Sequence, residues 1–298
     1  LVAYLFGATA FVDAYYVANG AIAFLAGTVQ NTVEAAILPK LIQSDEDTAR
    51  NLFGYVVRVL IIGILLIAVL MLLFPESFIR IFARTFDAQR ISYASDMLKW
   101  ILPYGISVIA MGVMTVWANY KERFAAYNTV TVFSNIFSIT ALLLLFPILK
   151  NYALPAFQSV SFAILALLMF CILRDIPLTP HGEIPCELRR RAGRDTLYCV
   201  VASGAGLIYT LVDRYFASSL PVGNVSAISY AQLIFYQPMG FMGSAMSVYL
   251  VRASDAVKED ATNGDRQLFT ALFMAWSYFF PAAILLSALS GTIVKILL

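Results

Sequence analysis

Residues 212–246 read VDRYFASSLPVGNVSAISYAQLIFYQPMGFMGSAM. One apolar segment ends, an uncharged turn runs from Leu220 to Asn224, and a longer apolar segment begins. Charge falls at Asp213 and Arg214, inside or beside the first segment, while the second carries Gln232 and Gln237 among aromatics. In water this would be an odd hairpin. In lipid it reads as two membrane helices with a polar lining, and ionisable groups at that depth mark function by default.

The remaining sequence agrees. Of 298 residues, 61% are hydrophobic and 13% charged, with a mean hydropathy of +0.80. That is a membrane composition. A net charge of +2 argues against nucleic acid as a partner. Cys171, Cys186 and Cys199 lack metal-ligand spacing and are expected to be packing residues, and His181 falls in a Pro-rich loop. The chain opens LVAYLFGATAF with no Met and no basic flank, which reads as a start within a span.

Apolar runs of about twenty residues mark spanning helices. A short tail of a first helix is expected at Leu1–Gly7 and a second helix at about Ala14–Leu38. Others are expected near Phe53–Phe74, Trp100–Ala118, Tyr127–Leu149, Tyr152–Leu173, Thr196–Ser218, Val225–Val251 and Leu268–Ile296. Between the third and fourth, ESFIRIFARTFDAQR places Phe78, Ile81, Phe82 and Phe86 on one helical face, either along the membrane surface or packed on the bundle. Thirteen of the 20 Lys and Arg fall in loops of one side, seven on the other. The thirteen are expected to face the cytoplasm. The basic run RDIPLTPHGEIPCELRRRAGR is the expected linker, giving a first lobe at residues 1–175, a linker at 176–195 and part of a second lobe at 196–298. Its arginines serve topology or anionic headgroups.

A weak internal repeat supports two lobes. Val12–Leu38 aligns with Val225–Val251 through Val12/Val225, Ala14/Ala227, Ala18/Ala231 and Gly27/Gly240. Each copy is followed by a Ser-Asp loop and then Leu-Phe. An even number of spans separates the copies, so the repeat is parallel, about an axis along the membrane normal. The repeat predicts about twenty residues before Leu1 and about three further spans after Leu298.

Polar residues form stripes within the spans. Asn19, Gln30 and Glu34 lie within about 60° on the second helix. Ser226, Tyr230, Gln237 and Ser244 line another, and Asn128, Thr131, Asn135 and Ser138 a third. They suit either a shared wet cavity or interhelical hydrogen bonding. The candidate cavity residues are Asn19, Gln30, Glu34, Arg58, Asn128, Asn135, Asp213, Arg214, Tyr230, Gln232 and Gln237. No nucleophile with a base, metal cluster, phosphate loop or nucleotide-hydrolysing module is legible. The expectation is a transporter without catalytic residues, metal or cofactor, with an unspecified coupling cation and driven by a gradient or by its substrate.

Phe6-Gly7-Ala8, then Asp13-Ala-Tyr-Tyr-Val-Ala18, then Leu38-Pro39 resemble the start of the MurJ/MviN lipid II flippases. VDRYFASSLPVGNVSAISYA followed by QPMGFMG resembles the seventh and eighth helices of that family. The resemblance covers the whole chain and places it in the MOP superfamily, beside polysaccharide flippases and MATE exporters. It implies an all-α polytopic membrane bundle of two pseudo-symmetric six-helix lobes, the second incomplete here. The implied activity is movement of an undecaprenyl-pyrophosphate-linked sugar, lipid II, between leaflets of the bacterial inner membrane by alternating access. The family holds the pyrophosphate with arginines, whose planar donors suit phosphate. In this chain Leu25–Ala26 occupy the second-helix positions, and Tyr230-Ala231-Gln232-Leu233 stands where the family reads Tyr-Ala-Asp-Arg. The first-helix pair would precede Leu1. Other readings are a flippase for another lipid-linked oligosaccharide, a cation-coupled MATE-type exporter using Glu34 or Asp213, and a membrane scaffold recruiting cell-wall synthesis enzymes through its basic loop.

Overall fold

A computed structural model describes residues 1–180, 182–236 and 261–297, with only the backbone considered at 124–132, 134, 135, 261–268, 271, 275 and 293–297. Every regular element among the described residues is helical: α1 Val2–Phe6, α2 Ala10–Gln43, α3 Glu46–Leu73, α4 Pro75–Phe82, α5 Ala88–Tyr120, α6 Phe124–Leu149, α7 Ala153–Ile172, α8 Cys186–Ala217, α9 at residues 224–236, and α10 Ala261–Leu297. Among them are 6 helical stretches long and apolar enough to cross a membrane.

The helices run further than their apolar cores because polar caps extend them. The Thr9 Oγ1 accepts from the Val12 N–H at 3.4 Å, starting α2 four residues before the expected Ala14. Asp45 accepts from the Thr48 N–H at 3.0 Å and starts α3 at Glu46 rather than Phe53. Two acidic residues, Glu46 and Asp47, then fill the first turn, where the helix dipole favours them. Asp87 accepts from the Arg90 N–H at 2.8 Å and starts α5 at Ala88, twelve residues before the expected Trp100. That start cuts the expected surface helix short. α4 keeps eight residues with Pro75 at its first turn, and Phe86 lies beyond its end. Ile79, Phe82 and Phe86 are buried while Ile81 is exposed, so this segment packs its aromatics on the bundle.

Within the expected linker at 176–195 the chain is helical from Cys186 onward, so α8 starts before the expected Thr196, and the cause is local. Arg191 and Glu187 pair at 2.6 Å across one helical turn, and the run is rich in helix-favouring Glu, Leu and Arg. His181 lies outside the described residues, as does most of the span expected at Val225–Val251.

The chain divides into two compact units, Thr9–Val225 and Leu1–Ala8 with Ser226–Leu298. In the larger one α5 is the hub: 67% of its apolar stretch is buried, against 17% for α3, whose outer face carries exposed Ile62, Leu66, Val69 and Leu73. α2 and α5 run parallel, since Gly105 and Gly112 meet Ile22 and Gln30 in the same order. α7 is parallel to α5, with Ser159 donating to the Trp100 carbonyl and Tyr104 packed edge-on against Phe162. α8 is antiparallel to α2, with Leu207 at Gly27 and Arg214 at Gly20. The chain reverses between α6 and α7 at Lys150, in the left-handed region at φ 49°. One core gathers Phe53 and Trp117, 4.9 Å apart, with Leu52, Ile109 and Val116; a second gathers Met111, Met114, Leu165 and Met169. In the smaller unit the Tyr230 hydroxyl donates to the Gly7 carbonyl at 2.8 Å.

Candidate functional site

α2 is held on two sides by glycine contacts. On α5, a Cβ at Gly105 would come within 2.5 Å of Ile22, and one at Gly112 within 2.6 Å of Gln30. On α2 itself, a Cβ at Gly20 would lie 3.3 Å from Arg214, and one at Gly27 3.1 Å from Leu207. Small residues at such crossings let backbones approach, which in lipid supplies most of the packing energy. The consequence for the α2 stripe is a split. Gln30 lies along Gly112 in the α2–α5 seam. Glu34 is exposed. Asn19 is half-buried, and its Oδ1 is shielded with no hydrogen-bond partner.

At the α2 start, polar groups are buried together. Asp13, fully enclosed, accepts from the Gly223 N–H at 2.6 Å, in a turn where Gly223 holds φ 91°. The Thr85 and Ser218 hydroxyls share a hydrogen bond of 2.7 Å. Arg214, 8% exposed, sets its guanidinium 5.9 Å from the Tyr16 ring centre. Its neighbour Asp213 is exposed, because adjacent residues point about 100° apart on a helix. Arg90 is equally buried, stacked 4.5 Å over Phe86, with Nε 3.5 Å from Asp87. Asp13 and Arg90 were not among the sequence candidates. The available signals were an acidic residue in a first helical turn and an arginine three residues after a capping aspartate. Around them Phe11 packs against Tyr93 and Tyr152, and Trp100 against Tyr152. Such aromatics suit a membrane–water boundary.

The other end carries ion pairs between different helices. Lys40 meets Asp195 at 2.6 Å, Lys121 meets Glu46 at 2.6 Å, and Arg123 meets Asp175 at 2.8 Å. The ends of α2, α5 and α7 thus gather with the starts of α3, α6 and α8. The basic loops assigned to one side from charge counts, as far as they are described, do lie at one end of the larger unit. The Asp45 carboxyl there is held below its usual range by the backbone and side chain of Thr48. Two polar cavities open at this end. One, of about 780 Å³, is lined by Arg50, Asn51, Arg174 and Thr179 among others. The second, of about 980 Å³, is lined by Cys186, Glu187, Arg190, Arg191 and Arg194.

The other candidates are dispersed. Arg58 is exposed on α3, on the side away from Phe53 and Val57. Asn128 and Asn135 lie on α6 at positions where only the backbone is described, and Gln232 is half-buried on α9. Gln237 lies outside the described residues. Among the described residues, no three His, Cys, Asp or Glu side chains converge as a metal site would require.

The family model for the lipid II flippase MurJ matches residues 2–298. The chain belongs to this family. Curated relatives named probable lipid II flippase MurJ come from Aquifex aeolicus, at 25% identity over 99% of this chain and 59% of that protein. Those from Bdellovibrio bacteriovorus and Thermotoga maritima are 24% and 25% identical over 90% and 100% of this chain, and 54% and 61% of their own lengths. The chain therefore spans about three-fifths of the MurJ relatives it matches. In fold it is similar to a lipid II flippase MurJ solved in an inward closed conformation, with TM-score 0.83 and 20% identity over 99% of this chain and 63% of that one. A MATE family multidrug resistance transporter of the MOP superfamily, inward-facing, aligns at TM-score 0.76 and 13% identity over 96% of this chain and 71% of that one. The MurJ likeness and the helix order describe the same all-α polytopic membrane architecture.

Proposed function

We infer that the chain is part of a flippase that moves lipid II, an undecaprenyl-pyrophosphate-linked peptidoglycan precursor, across the bacterial inner membrane by alternating access. The observation that carries this reading is the MurJ family match over residues 2–298. The gathering of basic loops at one end supports a cytoplasmic orientation for that end. In this reading residues 1–175 belong to the first lobe and 196–298 begin the second, and the protein carries out no covalent chemistry. The residues proposed to serve the substrate are Asn19, Gln30, Glu34, Arg58 and Asp213 in the larger unit and Tyr230 and Gln232 in the smaller one, with Asn128, Asn135 and Gln237 proposed from the sequence pattern alone. Arg214 is the buried cation best placed on α8 to favour an anionic headgroup near the α2 start. A coupling cation is part of the proposal without an assigned site.

Complementation tests the reading. The complete gene is expressed in cells depleted of their own lipid II flippase, with membrane levels checked by blot. Growth and lipid II exposure on the outer leaflet are scored. Rescue of both is the expected result. Failure at normal protein levels would sink the lipid II assignment and move the reading to another lipid-linked glycan.

A further inference from the structure

Between α3, α5 and α7 runs an apolar groove of about 530 Å³. Its walls include Leu60, Ile61 and Ile64 of α3, Ile106 and Ala110 of α5, and Ala163 of α7. The only hydroxyl among its lining residues, on Ser107, donates to the Pro103 carbonyl, so the wall offers lipid no unsatisfied donor. Along α3 the groove runs from Val57 to Leu65, about 12 Å at 1.5 Å per residue. That is most of one leaflet, half of a hydrocarbon core of about 30 Å. The groove ends at Ile176 and Leu178, and these two residues also line the polar cavity of about 780 Å³. An apolar slot about 12 Å long along α3 therefore adjoins a polar, charged chamber, with Ile176 and Leu178 common to both.

The charges of that chamber select the headgroup. Asp47, Arg50, Arg174 and Asp175 line it. Asp175 is taken by Arg123 at 2.8 Å. Glu46 is engaged by Lys121 at 2.6 Å and lies 3.8 Å from Arg50, beyond a hydrogen bond. Arg174 donates through Nε to the Cys171 carbonyl, which leaves its outer nitrogens for a ligand. Two arginines against Asp47 leave an excess of one positive charge, matched by one phosphodiester. Paired guanidinium groups suit phosphate oxygens. The chamber wall is also fixed. Asn51 accepts from the Gly182 N–H at 3.0 Å, and a Cβ at Gly54 would lie 2.7 Å from the Thr179 backbone.

We propose that this groove and chamber form a binding site for one anionic glycerophospholipid, one of its two acyl chains between α3, α5 and α7 and its phosphate at Arg50 and Arg174. The site lies wholly within the Thr9–Val225 unit and does not depend on the transported substrate. Its bound lipid would fill the gap beside α3, the helix with the least buried apolar surface among the spans of that unit apart from α8.

Native mass spectrometry of the full-length protein in nonionic detergent tests this, with palmitoyl-oleoyl phosphatidylglycerol titrated in. The expected result is one tightly retained lipid per protein. Arg50→Gln with Arg174→Gln should weaken retention at least about tenfold, the loss of a charge-assisted contact. Both arginines are exposed, so the fold should survive. Ala163→Phe, filling the groove, should lower retention of phosphatidylglycerol and of palmitoyl-oleoyl glycerol alike. The arginine pair should leave the uncharged palmitoyl-oleoyl glycerol unaffected. Arg190→Gln with Arg191→Gln removes the same charge elsewhere and should change nothing. Equal retention by wild type and the Arg50/Arg174 variant would overturn the proposal. So would preferential retention of undecaprenyl phosphate that is lost on the same substitutions, since the groove would then serve a polyprenyl chain.

Discussion

Gly54 gives a sharp test of how the α7–α8 connection is seated on α3. A Cβ added there would lie 2.7 Å from the Thr179 carbonyl carbon and 2.8 Å from the Pro180 nitrogen, both backbone atoms. Ordinary carbon contacts are about 3.5–4.0 Å, so the connection must retreat by about 1 Å. Overpacking of this kind costs about 1–3 kcal/mol. Alanine also favours the helix over glycine by about 0.8–1.0 kcal/mol, so Gly54→Ala alone mixes two effects of opposite sign. Gly63, nine residues later on α3, has nothing within 4 Å of its would-be Cβ. Gly63→Ala takes the helical gain without the clash, and comparing the two variants isolates the clash. At about 2–4 °C per kcal/mol, the thermal transition of Gly54→Ala should fall about 2–12 °C below that of Gly63→Ala. Dye-detected melting in one detergent, at one scan rate, reads the difference. Coincident transitions would refute the close seating of Thr179 on α3, and with it the fixed wall of the adjoining polar chamber.

Two other contacts yield separate expectations. Lys40 and Asp195 meet at 2.6 Å with side chains 15% and 37% exposed, so a Lys40→Ala, Asp195→Ala double-mutant cycle should give a favourable coupling that shrinks in high salt; zero coupling at low salt would remove this pair as a clasp between α2 and α8. Asp13→Ala should cost about 1.5–3 kcal/mol by stranding the buried Gly223 N–H, whereas Asp13→Asn, which keeps an acceptor, should cost less; equal melting of the two variants would show that the hydrogen bond to Gly223 does not hold the turn.

Among the described residues helix order was legible because a spanning helix declares itself by length and hydropathy alone, and lipid permits little else. The ends were less legible. Lys40, Glu46, Asp87 and Asp195 look like loop residues in sequence, yet each lies in a helix or caps one. Their charges are answered by a cap or by a partner on another helix, which no local pattern reveals. The gathering of Lys40, Lys121 and Arg123 at one end is insensitive to this, since it depends on which loops share an end and not on where helices stop.

The polar stripes show where periodicity stops informing. It placed Asn19, Gln30 and Glu34 on one face of α2 but could not say what that face meets. Gly112, on a helix some eighty residues away, turns Gln30 into a seam residue, while Glu34 four residues on stays exposed. Asp213 and Arg214 show the same limit in the other direction: adjacent in sequence and read together, they separate into an exposed acid and a buried base. Asp13 stood in the quoted family motif but outside the expected helix, so no helical stripe marked it as a site residue; the cap at Thr9 places it in the first turn of α2. Its real partner is the Gly223 N–H, in the turn of the opening stretch of sequence, which brings the start of α2 against the far end of α8. The same two helices are tied at their opposite ends by Lys40 and Asp195. α8 is thus tied to α2 at both ends and α5 is packed along the Gly105–Gly112 seam, whereas α3 leaves one outer face open, with an apolar groove beside it.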